Sequence, residues 1–205
     1  VTDRPQSIQK TAGSAELPGH IPIKFALPDT PVCIWITGLS GAGKSTVAAA
    51  LCRELAAAMT AHYVLDGDSL REGLNKDLGF SREDRCESVR RAGEIARLMV
   101  EAGLIVIVAM ISPFREDRDL VRSRFQKERF MEVFLDTPLD VCETRDPKGL
   151  YRRARRGEIP NFTGIGSAYE PPESPDLHIR YDGRSADTVA REIIAILKSK
   201  APAIR

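Results

Sequence analysis

Residues Gly38 to Ser45 read Gly-Leu-Ser-Gly-Ala-Gly-Lys-Ser, the spacing G-x-x-x-x-G-K-[ST], and chemistry can be assigned to each part of it. Gly38, Gly41 and Gly43 allow backbone conformations that other residues resist. The N–H groups of Gly38, Leu39, Ser40, Gly41, Ala42, Gly43, Lys44, Ser45 and Thr46 can then converge on a polyphosphate. Lys44 is placed to reach the β- and γ-phosphates, and Ser45 to hold a magnesium ion. A helix beginning just after the loop aims its positive end at the same anion. The alternative is a chance glycine-rich turn. The apolar run before the loop and the alanine-rich helical pattern after it make a nucleoside triphosphate site the reading of this segment.

Such a loop does not separate a kinase from a GTPase, a motor or a transporter, so the acids must decide. The strand Leu104 to Met110 ends without an aspartate, which weakens a switch-type ATPase, and no N-K-x-D tetrapeptide supports a GTPase. Two acids instead close another apolar run, in Leu65-Asp66-Gly67-Asp68-Ser69. A carboxylate there can orient an acceptor hydroxyl or hold Mg²⁺ through water, as in small P-loop kinases. Asp66 and Asp68 are therefore candidate catalytic residues with Lys44, and Ser45 with Asp66 is the candidate metal pair; Asp68 could also simply cap a helix. Ser112 follows the strand that ends at Met110, where the carboxyl edge of the sheet should open into the same site. His20, His62 and His178 fall in a tail or in strand positions and are poor catalytic candidates.

The elements that must position these groups alternate. Strands are predicted at Val32 to Thr37, His62 to Asp66, Leu104 to Met110, Met131 to Leu135 and Leu177 to Tyr181. Helices are predicted up to about Met59, near Ser69 to Leu74, and over about Glu83 to Ala102, Glu116 to Gln126, Leu139 to Arg145 and Ala186 to Lys198. This is an α/β protein, a P-loop NTPase α/β/α three-layer sandwich with a mostly parallel five-stranded sheet. Its 205 residues suit one domain, residues 31 to 205, after a proline-containing tail or linker over 1 to 30, of which Ile21 to Leu27 can dock on the domain. The missing initiator methionine suggests processing or a fragment. Thirty Lys and Arg against 29 Asp and Glu leave a net charge of +1, so no global field draws nucleic acid. No apolar run is long enough to span a membrane, and four scattered cysteines lack metal or disulfide spacing, so a cytoplasmic protein is expected.

The segment Asp146 to Pro175, rich in glycine and proline, breaks the alternation and is predicted to be a lid. Within it Arg152, Arg153, Arg155 and Arg156 follow Lys148. Such a run is either a solvated helix face or a set of cations that closes over phosphate, and beside a triphosphate site at least one of them is expected to do the latter.

Several blocks together resemble the adenylylsulfate kinase (APS kinase) family: the loop at 38 to 45, Asp66-Gly-Asp-Ser-Leu-Arg through Phe80 to Arg85, Ile111-Ser-Pro-Phe-Arg115, Asp146-Pro-Lys-Gly-Leu-Tyr151 and Phe162-Thr-Gly-Ile165. In the family's order and spacing they cover roughly residues 31 to 200. The resemblance implies transfer of the ATP γ-phosphate, with Mg²⁺, to the 3′-hydroxyl of adenosine 5′-phosphosulfate. It implies Phe80 and Phe162 around the adenine, Arg71 and Arg85 on the phosphosulfate, and Lys148, Ile111 and Ser88 as further substrate contacts, with Asp68 orienting the 3′-hydroxyl. It also implies a phosphoserine intermediate at Ser112, although no base lies near it in sequence; direct in-line transfer, with Ser112 touching substrate by backbone and hydroxyl, is the competing and favoured role. Two positions depart from the pattern, Ser69 and Ser88 standing where the family has asparagine. A homodimer and fusion to, or association with, an ATP sulfurylase are further implications. A non-catalytic nucleotide-sensing or scaffold domain of a sulfate-assimilation fusion, or a kinase for another small metabolite, remains as an alternative.

Overall fold

The computed structural model describes residues 31 to 200, so the tail over 1 to 30, with Ile21 to Leu27 and His20, lies outside the described residues. Five strands form one sheet: β1 (Cys33–Thr37), β2 (His62–Asp66), β3 (Ile105–Ala109), β4 (Phe130–Asp136) and β5 (Leu177–Arg180). Their order is β2-β3-β1-β4-β5, and every pairing is parallel. All strands therefore end at one edge of the sheet, where the loops that carry the chemistry gather.

β1 and β3 are buried at every position and apolar at all but Thr37, so the sheet is covered on both faces, and strand periodicity sorts their side chains. Ile34, Ile36, Ile107, Met131 and Val133 pack with α1 (Lys44–Ala57) and α7 (Ala186–Lys200). Cys33, Trp35, Val106, Val108 and Phe130 face α3 (Arg82–Glu101), through Val89, Ala92, Ala96 and Val100. The remaining helices are α2 (Gly67–Glu72), α4 (Arg115–Arg122), α5 (Leu139–Arg145) and α6 (Leu150–Arg155). The three-layer sandwich expected from the sequence is the observed one.

Three local expectations need correction. The helix after β3 stops at Arg122 rather than near Gln126, and a 3-10 turn over Lys127–Arg129 leads into β4. The short helix after β2 begins at Gly67 and is capped by Asp66, whose carboxylate accepts from Asp68 N at 2.9 Å, so Asp68 is not the cap. The segment 146 to 175 also contains a helix, α6, that its glycines and prolines concealed. Gly149 takes a left-handed conformation at the start of α6, and the Asp146 carboxylate accepts from Tyr151 N and Arg152 N, both at 3.1 Å.

Gly93 lies in the middle of α3, where glycine costs about 1 kcal/mol relative to alanine. Packing explains it: a Cβ added there would stand 2.7 Å and 2.9 Å from the two Val121 methyl carbons of α4. Overpacking of this kind costs about 1 to 3 kcal/mol, enough to outweigh the gain in helix propensity. Gly93→Ala is therefore expected to lower stability by up to about 2 kcal/mol, read as a lower urea midpoint at unchanged slope.

Candidate active site

The glycine-rich loop runs from the end of β1 into the first turn of α1, with positive φ at Gly38, Gly41 and Gly43. Its carbonyls are tied down from behind: Thr137 Oγ1 donates to Ala42 O at 3.1 Å, Tyr151 Oη to Ser40 O at 2.9 Å and Arg145 Nη1 to Gly41 O at 3.2 Å. Ser40 to Thr46 line a cavity of about 940 Å³. Gly38 and Leu39, grouped with them in the sequence reading, do not line it. Gly38 is pressed on β4, where an added Cβ would come within 2.7 Å of Leu135 O, and Leu39 lies against Gly164 and lines a separate, more open cavity.

Lys44 is buried, and its Nζ donates to Gly38 O at 3.0 Å and Leu39 O at 2.8 Å. Burial pulls its pKa down to about 8, against the opposing pull of Cys142, Asp66 and Asp68. A polyphosphate in the loop would supply the counter-charge the ammonium lacks. Beside it Ser45 Oγ donates to Asp66 Oδ2 at 2.7 Å. This pair of hard oxygen donors at the foot of the loop fits Mg²⁺, which takes one or two protein ligands and keeps several waters. Asp68, two residues on, is ion-paired with Lys148 of the segment after α5.

The opposite wall of the cavity is cationic and aromatic. Arg71 lies 4.2 Å over the Phe80 ring and donates to Gly79 O at 3.0 Å. Arg85 is buried and donates to Phe80 O at 3.0 Å, Thr163 Oγ1 at 2.7 Å and Asn161 O at 2.8 Å, tying α3 to the segment after α6. Burial lowers the pKa of both guanidiniums, and that of Arg85 falls further through repulsion by Arg71. Two desolvated cations that repel one another make a site for an anion. Phe80 is 53 % exposed, whereas Phe162 is 7 % exposed and meets Tyr151 edge-on at 5.0 Å. Ser88 and Ile111 line the same cavity.

The chain's likeness to known proteins matches this arrangement. A family model described as adenylylsulphate kinase matches residues 30 to 180. The chain belongs to that family. It is 56 % identical over 168 residues to an adenylyl-sulfate kinase of Aeromonas hydrophila, covering 82 % of this chain and 85 % of that one. It is 52 % identical over 168 residues to a bifunctional enzyme CysN/CysC of Xylella fastidiosa, of which the match covers 27 %, against 82 % of this chain. Among solved structures, the Mycobacterium tuberculosis APS kinase CysC in complex with AMPPNP and APS superposes with a TM-score of 0.78 at 50 % identity, over 83 % of this chain and 99 % of that one.

Within this adenylylsulphate kinase fold, Ser112 is placed differently from what its expected catalytic role requires. It is 2 % exposed, with φ +39°, and its Oγ accepts from Trp35 Nε1 at 3.0 Å and donates to Thr37 Oγ1 at 3.1 Å. Arg118, itself paired with Glu132 at 2.9 Å, holds Ser112 O at 2.6 Å. The hydroxyl is spent inside the protein, which disfavours both a phosphoserine and a hydroxyl contact with substrate; what Ser112 offers the cavity is a rigid backbone. Most of the basic run is likewise spent locally, Arg155 on Glu143 and Arg156 on Glu158, and only Arg153 of the four lines the cavity.

Sequence reasoning missed the part of the cavity lining that adjoins the loop through Arg145. Arg145 stacks over Tyr181 at 5.1 Å, and residues 180 to 184 complete the wall there. The available signal was position, since Arg145 ends α5 and Tyr181 directly follows β5 at the carboxyl edge of the sheet. The anchoring of the loop by Thr137 can be tested alone. Thr137→Val keeps the shape and removes one hydrogen bond worth about 0.5 to 1.5 kcal/mol. ADP affinity by calorimetry is expected to fall by about two- to ten-fold, with the fold intact by circular dichroism.

Proposed function

We propose that this chain transfers the γ-phosphoryl group of ATP to the 3′-hydroxyl of adenosine 5′-phosphosulfate, giving 3′-phosphoadenosine 5′-phosphosulfate and ADP. One observation carries the reading: a single cavity joins the phosphate loop and the Ser45–Asp66 pair to a wall of Arg71, Arg85 and Phe80. One end suits a triphosphate, and the other suits an anion attached to a flat aromatic base.

In this reading the ATP phosphates lie along the N–H groups of Ser40 to Thr46. Lys44 Nζ leaves the Gly38 and Leu39 carbonyls for the β- and γ-oxygens, and the nucleobase of ATP rests by Arg145 and Tyr181. Ser45 and Asp66 would hold Mg²⁺, which when bound neutralises charge on the phosphate oxygens. Arg71 and Arg85 hold the phosphosulfate, Phe80 and Phe162 enclose its adenine, and Lys148, Ser88 and the Ile111–Ser112 backbone complete the fit. Asp68, exchanging Lys148 for substrate, orients the 3′-hydroxyl and takes its proton as O3′ bonds to the γ-phosphorus and the bond to the ADP oxygen breaks. The segment 146 to 175 closes over both substrates. A cytoplasmic location, a dimer and cooperation with an ATP sulfurylase belong to the same reading, the last supported by the bifunctional relative of Xylella fastidiosa.

The deciding experiment incubates purified protein with Mg-ATP and adenosine 5′-phosphosulfate and follows ADP release. Turnover that depends on the sulfonucleotide is expected; binding of both ligands without turnover would instead indicate a sensing or scaffold domain. Lys44→Ala should lower kcat by about 10² to 10³-fold, the cost of removing one transition-state donor. Arg85→Ala should act mainly on the KM for the sulfonucleotide, raising it by about ten- to a hundred-fold, as for a lost hydrogen bond to a charged group. Unchanged kinetics for Arg85→Ala would place the sulfonucleotide elsewhere.

A further inference from the structure

Behind the wall that carries Arg85 lies a polar pair with an unexplained cost. Ser88, on α3, lines the cavity though only 3 % exposed, and Asn75, in the turn after α2, is 1 % exposed. Asn75 Nδ2 donates to Ser88 Oγ at 2.9 Å. Asn75 Oδ1 has no partner among the described residues. In the opposite orientation of the amide Nδ2 would stand alone and Ser88 would donate to Oδ1, so one polar atom is orphaned either way; in the structure it is Nδ2 that donates to Ser88. A buried polar atom left without a partner costs about 1 to 3 kcal/mol.

Folding of the turn does not call for this amide. The backbone of Asn75 is already fixed, its N–H donating to Leu70 O at 2.8 Å and its carbonyl accepting from Leu78 N at 3.1 Å. An apolar side chain could fill the space without an orphaned atom. What the amide does is act on Ser88. A helical serine left alone turns its hydroxyl back to a carbonyl of its own helix. Here the oxygen accepts from Asn75, and among the described residues no acceptor takes its proton. Ser88 is one helical turn beyond Arg85 and lines the same cavity as Arg71 and Phe80.

We propose that Asn75 is a positioning residue for the sulfonucleotide: by filling the acceptor side of the Ser88 hydroxyl, it leaves that proton to be donated into the cavity, so that the two residues work as one unit. This rests on the sulfonucleotide reading above and extends it to a residue that does not itself line the cavity.

The test measures steady-state kinetics of Asn75→Leu, Ser88→Ala and the double variant, with ATP and the sulfonucleotide varied separately and thermal midpoints recorded. Each single variant is expected to raise the KM for the sulfonucleotide by about three- to ten-fold, the worth of one hydrogen bond. The KM for ATP and kcat should stay within about two-fold, and the double variant should be no worse than the worse single one, as for partners in one interaction. Asn75→Ala, which adds no atoms, is read in the same way should the leucine not fold. An unchanged sulfonucleotide KM, a parallel rise in both KM values, or effects that multiply in the double variant would overturn the proposal. Wild-type protein with no sulfonucleotide-dependent turnover would overturn the parent reading and this one with it, which separates the two failures.

Discussion

A loop of backbone N–H groups can point inward only if its carbonyls find partners outside, and the rest of this molecule is arranged around that requirement. Thr137, Tyr151 and Arg145 supply those partners from the residue that follows β4 and from the two helices after it. The loop is thus clamped between the central strand β1, from which it emerges, and the strand beside it. Gly38 records how tight the clamp is, because no side chain fits between it and Leu135. The cost of the arrangement falls on Lys44, a cation buried against two carbonyls with its pKa depressed. The unliganded loop is therefore short of negative charge, and that shortage is what a polyphosphate satisfies.

The other half of the cavity shows the same economy with different groups. Arg71 and Arg85 are desolvated and close enough to disfavour one another, while Asp68 and Lys148 neutralise each other across the mouth. None of these contacts is a strong reason for the fold to form, since exposed pairs such as Asp68 with Lys148 contribute little stability. They hold side chains near the positions where charge will be needed. Arg85 goes further, because two of its three bonds reach Asn161 and Thr163 and so connect the anion wall to the segment that could cover it.

Much of this was legible in the sequence, for identifiable reasons. The strands were readable because β1 up to Ile36 and all of β3 are continuously apolar, and the loop because glycine, lysine and serine at fixed spacing have few other uses. Asp66 and Asp68 were readable as a pair, but the division of labour between them was not: Asp66 caps α2 and meets Ser45, while Asp68 faces Lys148, a partner 80 residues away. The helix α6 was hidden because the group that caps it, the Asp146 carboxylate, precedes a proline and a glycine that read as a break. Ser112 misled because its position after β3 is right while its hydroxyl bonds to Trp35 and Thr37, which only the folded sheet brings within reach. Arg145 and Tyr181 escaped notice for a like reason, being 36 residues apart and joined only by stacking at the sheet edge.

The bond between Trp35 and Ser112 has one more consequence. The chain has a single tryptophan, and its indole is wholly buried in the central strand with its N–H fixed on Ser112, one of the residues that line the cavity after β3. The molecule thus carries its own fluorophore, in a dry setting that should emit toward the blue, one hydrogen bond away from a surface that ligands must touch. Any displacement of that turn would be transmitted to the chromophore without a label, so occupancy could be followed by intrinsic emission in the unmodified chain.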